Sequence, residues 1–271
     1  MKEAAKMWIF RTAMLALLAV YIIPVLWVFR TAFMPKQLAI DLAAVGPFNL
    51  DNFRSVFEAA PFNIYYVNTI VIILSIFSIQ IFTVTLSAYA FARMQFIGKG
   101  ILFVLFLLQI MITPDILMLP NYSFLARLDL IDTRLGIMIP YFASSFGIFL
   151  MRQAFKQIPF ELEEAARLEG AGTWRVIWTI YAPLSKAYYA AFGMISVSYH
   201  WNNFLWPLVV TNSVEKRTLS VGLAIFAQSY ETGAQWGEVC AATSAVIAPL
   251  LLAFFIFQKQ IMESFAHSGI K

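Results

Sequence analysis

Residues 161–183 read ELEEAARLEGAGTWRVIWTIYAP, from Glu161 to Pro183, and the fold turns on how this stretch sits among its neighbours. It is the one polar, charge-rich insertion of its length between long apolar runs on the side assigned below to the cytoplasm. Pro159 suits a helix start, because its fixed φ is helical and its missing N–H would have no partner there. Glu161, Glu163 and Glu164 then lie near the positive end of the helix dipole, which favours carboxylates. Gly170 and Gly172 can end that helix. Trp174, Val176, Ile177 and Ile180 give a second one its apolar residues, from Thr173 up to Pro183. Residues 159–183 therefore predict a helix, a turn and a helix. Trp174, Arg175 and Trp178 would also suit an amphipathic loop lying on the lipid surface.

The rest of the chain reads as membrane. Hydrophobic residues make up 61% of the 271 and charged ones 13%, and mean hydropathy is +0.75. Soluble domains hold roughly 45–50% apolar and about 25% charged residues. We read an all-α integral membrane protein, one domain, counted in spans of about 20 residues. Six apolar runs qualify, at 8–33, 65–94, 101–119, 135–151, 184–210 and 239–257. Residues 34–62, 120–134 and 211–238 are polar enough to be external segments, the first with short helical pieces, and 259–271 forms a short tail. The small residues of SAYAFAR, Ser87 to Arg93, suit close helix packing. Thr113, Pro114 and Asp115 interrupt the third run. Broken backbone at membrane depth needs cover from protein or a watery cavity, so a pathway wall and an ordinary kink both fit.

Basic residues orient these spans. Arg30, Lys36, Arg54, Arg127, Arg134, Lys216 and Arg217 fall on the outer side, which leaves twelve of the 19 inside or at inner ends. Basic residues concentrate on the cytoplasmic side, so both termini are expected there. The basic start with Lys2, Lys6 and Arg11 leads into a long apolar run without a small-residue cleavage pattern, which reads as a retained signal anchor. The net charge of +4 is scattered over span ends and predicts no nucleic-acid partner.

Several chemistries lack their residues. Gly170-Ala171-Gly172 is not followed by the Lys-Ser/Thr of a phosphate-cradling loop, and no other stretch supplies one, so the chain should not hydrolyse ATP. The lone Cys240 has no Cys/His cluster beside it, and no metal site or catalytic residue is predicted. Ion-coupled transporters keep ionisable groups deep in their spans. The best candidates, Asp115 and His200, lie in outer halves, and energy is expected to arrive from elsewhere.

Glu164-Ala165-Ala166, then Gly170, Ile180 and Pro183, resemble the EAA loop of ABC importer membrane subunits at every spacing, with Ala182 where that family usually has leucine. SAYAFARMQFIGK from Ser87 to Lys99, the stretch from Asn202 to Leu208 and the closing FQKQIMESFAHSGIK are similar too. The chain thus resembles the binding-protein-dependent transport permeases, in the sugar-type branch that includes the maltose and glycerol-3-phosphate systems. The resemblance implies a type I ABC importer permease fold of six transmembrane helices. It also implies a homologous second permease subunit, two ATPase subunits that hold ATP and magnesium, an external solute-binding protein, and a bacterial or archaeal inner membrane. Residues 164–168 would be a coupling helix docked on one ATPase, with Ala165 and Ala166 permitting close approach and Gly170 making the turn. Glu164 and Arg167 would pair with opposite charges there. The tail from Gln258 to Lys271 would touch the ATPase pair.

Aromatic, amide and hydroxyl groups suit a sugar or polyol. Ser196, His200 and Asn203 share a helix face at i, i+4 and i+7, and with Asp115, Tyr141 and Ser144 they are candidates to line a pathway. An interfacial aromatic belt explains the same cluster. A phosphate or sulfonate would want cations in the cavity, so a neutral sugar is favoured. Runner-up readings are an ion-coupled secondary transporter and a membrane scaffold.

Overall fold

The computed structural model describes residues 2–35, 38–39, 46–230 and 235–269. Among them every regular element is helical. In chain order these are α1 (Lys2–Ala32), α2 (Asp51–Ala59), α3 (Phe62–Arg93), α4 (Lys99–Met111), α5 (Met118–Arg127), α6 (Arg134–Met138) and α7 (Ser145–Gln157). There follow α8 (Phe160–Leu168), α9 (Thr173–Val176), α10 (Ala182–Leu184), α11 (Lys186–Asn202), α12 (Leu205–Val210), α13 (Leu219–Tyr230) and α14 (Trp236–Gly269). The chain divides into two compact units, Met1–Asn63 with Val221–Pro249, and Ile64–Ser220 with Leu250–Lys271.

In the first unit the apolar α1 is exposed from Lys6 to Leu26, as a helix made for lipid or another membrane chain is. Its end is tied down by Asn52 of α2. The buried Asn52 amide donates to the Ala32 carbonyl at 3.0 Å and the Met34 carbonyl at 2.7 Å, at the helix end where carbonyls lack intrahelical partners. Gly237 lies against the same amide, where a Cβ would come within 2.8 Å of it. α13 lies within the segment 211–238 that the sequence leads us to expect outside the membrane. The run LSVGLAIFAQSY is only 12 residues long, too short to register as a span beside Lys216 and Arg217, yet it folds as a helix with Val221 and Phe226 buried. Phe226 meets Phe62 edge to face at 5.5 Å.

The second unit carries the polar stretch, and prolines set its breaks. Pro114 opens a 3-10 turn over Pro114–Leu117 after α4, and the path bends by 99° before α5, where the sequence led us to expect an interruption. Residues 120–127, expected in a loop, continue as α5. Pro120 sits in the first turn of that helix, where a missing N–H costs nothing. The fourth run, expected as one helix over 135–151, bends by 43° instead. A 3-10 turn over Ile139–Tyr141 contains Pro140, and α7 starts afresh with the Ser144 side chain accepting from the Gly147 N–H at 3.1 Å. The fifth, expected as one helix over 184–210, breaks at Asn203 and Phe204, with Pro207 again in the first turn of the new helix.

Ile177–Tyr181 form a single π-helical stretch between α9 and α10. Pro183 would collide with the carbonyl four residues before it in a regular helix, and widening the preceding turn relieves that clash. At the core of this unit Val84, Ala88 and Tyr89 of α3, Ile148, Met151 and Phe155 of α7, Tyr181 and Phe192 of α11 are buried together. Gly147 lets these helices close up, since a Cβ there would lie 2.6 Å from the Phe192 ring and 2.8 Å from Val84.

Candidate functional site

The polar stretch folds as helix, turn and helix. α8 follows Pro159, and its C-terminus is a Schellman motif. The Ala171 N–H donates to the Ala166 carbonyl at 2.9 Å and the Gly170 N–H to the Arg167 carbonyl at 3.0 Å. Gly170 takes a φ of +83°, the left-handed conformation that closing this turn demands and that a Cβ disfavours. Space is not the constraint, because nothing lies within 4 Å of where a Cβ would be.

α8 has two sides. Glu164, Ala165 and Leu168 face out, Leu168 at 90% exposure, with Leu162 and Trp174 also exposed. Ala166, Ile180 and Ala171 are half-buried on the core, and Gly170 and Pro183 are exposed. Glu163 is the one buried residue of α8. Its Oε1 accepts from the Tyr89 hydroxyl at 2.7 Å and from Arg167 Nε at 2.9 Å and Nη2 at 2.8 Å, and its Oε2 accepts from the Tyr181 hydroxyl at 2.7 Å. Burial pushes the Glu163 pKa up, but the hydrogen bonds from Tyr181, Tyr89 and Arg167 outweigh it and hold the carboxyl below its ordinary 4.5. Arg167 is thereby engaged within the chain, with its side chain 44% exposed.

One helical turn after Tyr89, Arg93 lies over the Tyr181 ring at 5.2 Å and the Phe160 ring at 5.7 Å. It also donates to the carbonyls of Phe155 and Ile158. Sequence reasoning missed Glu163, Tyr89, Arg93 and Tyr181 as parts of this site. The signal was the Tyr-x-x-x-Arg spacing inside SAYAFAR, which puts both side chains on one face of α3.

The six residues proposed to line a pathway, Asp115, Tyr141, Ser144, Ser196, His200 and Asn203, all border one cavity of about 430 Å³. Asn203 reaches it as the residue capping α11, and Ser144 as the cap of α7. The Asn203 amide donates to the Tyr141 hydroxyl at 2.8 Å, and the Tyr141 ring meets His200 at 4.7 Å and Tyr199 at 6.0 Å. Gln80, not foreseen from the sequence, ties the wall together: its amide nitrogen donates to the Tyr141 carbonyl and its oxygen accepts from Ser196, both at 2.7 Å. The buried indole of Trp206 donates to the Ile137 carbonyl at 3.2 Å. Among the described lining residues Asp115 is the only carboxylate, and there is no lysine or arginine.

Residues 64–263 match the model of the binding-protein-dependent transport system inner membrane component family. The chain belongs to that family. Within it, the chain is 30% identical to the lactose transport system permease protein LacG of Rhizobium radiobacter, over 89% of this chain and 88% of that protein. It is 32% identical to the sn-glycerol-3-phosphate transport system permease protein UgpE of Yersinia enterocolitica, over 78% and 75%. A chain of the crystal structure of a bacterial ABC transporter involved in the import of the acidic polysaccharide alginate superposes with a TM-score of 0.79 at 25% identity, covering 93% of this chain and 96% of that one. The expected resemblance to the sugar-type permeases is thus found in both sequence and fold. Binding-protein-dependent permeases are transporter components and not ATPases, in keeping with the missing phosphate loop.

Proposed function

We propose that this chain is the membrane permease subunit of an ATP-driven ABC importer for a carbohydrate or related solute, and that α8 is its coupling helix. One observation carries the reading. α8 presents a compact outer face of Glu164, Ala165 and Leu168, with a Schellman turn closing its end and Ala166 on the core behind it. In this reading two ATPase subunits bind ATP and magnesium, a second, homologous permease completes the pathway, and an external binding protein delivers the solute. The chain crosses a bacterial or archaeal inner membrane six times with both termini cytoplasmic, α11 and α12 together making the fifth crossing. Closure of the ATPases pulls on α8 and rocks the helices around the cavity between inward-facing and outward-facing states.

The cavity favours a neutral polyhydroxyl solute. Amides, hydroxyls and aromatic faces can bind sugar hydroxyls, and Asp115 without a lysine or arginine nearby opposes an anion. The named relatives carry both kinds, lactose and glycerol-3-phosphate.

The test uses the purified complex in proteoliposomes. Gly170→Pro removes the N–H that bonds the Arg167 carbonyl and forces a negative φ. It should abolish uptake while leaving the protein in the membrane, and normal uptake with intact stimulated ATPase activity would refute the coupling role of α8. Mass spectrometry of solute released from the complex identifies the cargo.

A further inference from the structure

The coupling reading uses the outer face of α8; its inner face holds a buried charge that docking does not need. Glu163 is 3% exposed and is bonded from three separate elements. Tyr89 belongs to α3, Arg167 to α8 and Tyr181 to the π-helical stretch that leads into α10. Arg167 Nη2 also reaches the Tyr89 hydroxyl at 2.9 Å, and the Tyr89 and Tyr181 rings meet edge to face at 5.3 Å. Arg93 closes the ring of contacts over Tyr181.

Apolar contacts also hold this region on the core, through Ala166 and Ala171. Apolar contacts are non-directional, however, and allow helices to slide and rotate. A carboxylate with four directed, charge-assisted hydrogen bonds resists both motions, because any slip strands a charge away from water.

We propose that Glu163 is a positioning residue for energy coupling, the rigid joint that makes α8, α3 and the Tyr181 stretch move as one body when the coupling helix is pulled. This rests on the coupling role of α8 and adds that the load enters the membrane helices through Tyr89 and Tyr181. Glu164, its neighbour in the recognisable motif, faces outward and does not share in the joint.

The test compares wild type, Glu163→Gln and Tyr181→Phe in the complete transporter, reconstituted with its ATPase subunits, second permease and binding protein. The readout is solute molecules imported per ATP hydrolysed, measured per assembled complex. A loose joint lets ATP turn over without moving the pathway. Glu163→Gln should therefore lower the ratio roughly tenfold, inside the span of about 5- to 150-fold usual for coupling between two sites. Tyr181→Phe, which removes one of the four bonds, should lower it less and serves as the deciding variant if Glu163→Gln fails to assemble. A ratio equal to wild type in the assembled variants, with only the quantity of complex reduced, would make Glu163 a folding residue and overturn the proposal. If the wild-type complex shows no ATP-driven uptake at all, the coupling reading itself falls and the joint with it.

Discussion

Arg93 and Arg152 each cap the helix that carries the other. Arg93, the last residue of α3, donates to the Phe155 carbonyl at 2.8 Å and to the Ile158 carbonyl where α7 ends. Arg152 of α7 donates from Nε to the Phe91 carbonyl in the last turn of α3 at 3.1 Å, with its guanidinium 3.9 Å from the Phe103 ring centroid. A guanidinium at a helix C-terminus donates to carbonyls that lack a regular intrahelical partner and meets the negative end of the dipole. The exchange joins the C-terminal ends of α3 and α7 at the entrance to the α8 loop.

Arg93→Ala should lose this clasp. Hydrogen bonds to a charged donor contribute about 1.5–3 kcal/mol each, so we expect a loss of about 2 kcal/mol or more, read as a lower thermal midpoint of the purified protein in detergent. Arg93→Lys keeps the charge but gives up the flat guanidinium that lies over the Tyr181 and Phe160 rings, and its midpoint should fall between the two.

Gly147→Ala should be costlier than its size suggests. The added methyl meets the Phe192 ring at 2.6 Å and Val84 at 2.8 Å, and overpacking of this kind costs about 1–3 kcal/mol. Gly193→Ala meets one ring edge of Phe77 at 2.9 Å and should cost less. Thermal midpoints of the two variants, measured side by side, check the order.

Gln80→Leu should act at the cavity. It strips the Ser196 hydroxyl of its acceptor and the Tyr141 carbonyl of its donor, a loss of about 1–2 kcal/mol between membrane helices. In proteoliposomes we expect the apparent KM for uptake to rise while the turnover number changes less. An unchanged KM would remove Gln80 and its partners from the pathway.

Acid should spare the α8 joint until well below neutrality. The folded Glu163 carboxyl titrates below its ordinary 4.5, so its stabilising contribution is complete above that value and is lost as pH falls through the lower folded value. The difference in thermal midpoint between wild type and Glu163→Gln should stay flat from about pH 7 to about pH 5 and shrink only in stronger acid. A difference that disappears by pH 6 would contradict the hydrogen bonds placed on the carboxylate.

How much could be read in advance depended on the signal each element left. The break at Thr113 to Asp115 was visible because Pro and Asp interrupt an apolar run, and the turn at Gly170 because glycine there marks a helix end. The breaks near Ser144 and Asn203 were hidden, since Pro140 and Pro207 lie in runs apolar enough to pass for continuous spans. α13 was hidden for the opposite reason, being too short to register beside Lys216 and Arg217. Within ELEE, Glu163 and Glu164 are chemically identical, and the spacing of the motif drew attention to Glu164 while the buried partner of Tyr89 stood next to it.

By itself the sequence determined that this is a helical membrane protein with a helix-turn-helix loop, because apolar run length and the glycine at 170 are local properties, and the motif from Glu164 to Pro183 carried its resemblance to the permeases. It also brought forward the six residues that border the cavity, through amide, hydroxyl and aromatic groups of the kind that bind sugars and through the interruption at Asp115. Only the tertiary structure decided which carboxylate is buried, that Tyr89 and Tyr181 hold it, and that Gln80 ties the cavity wall together. These depend on side chains from helices up to 116 residues apart in the chain meeting across a packed core, and no local pattern specifies which of two adjacent glutamates turns inward to meet them.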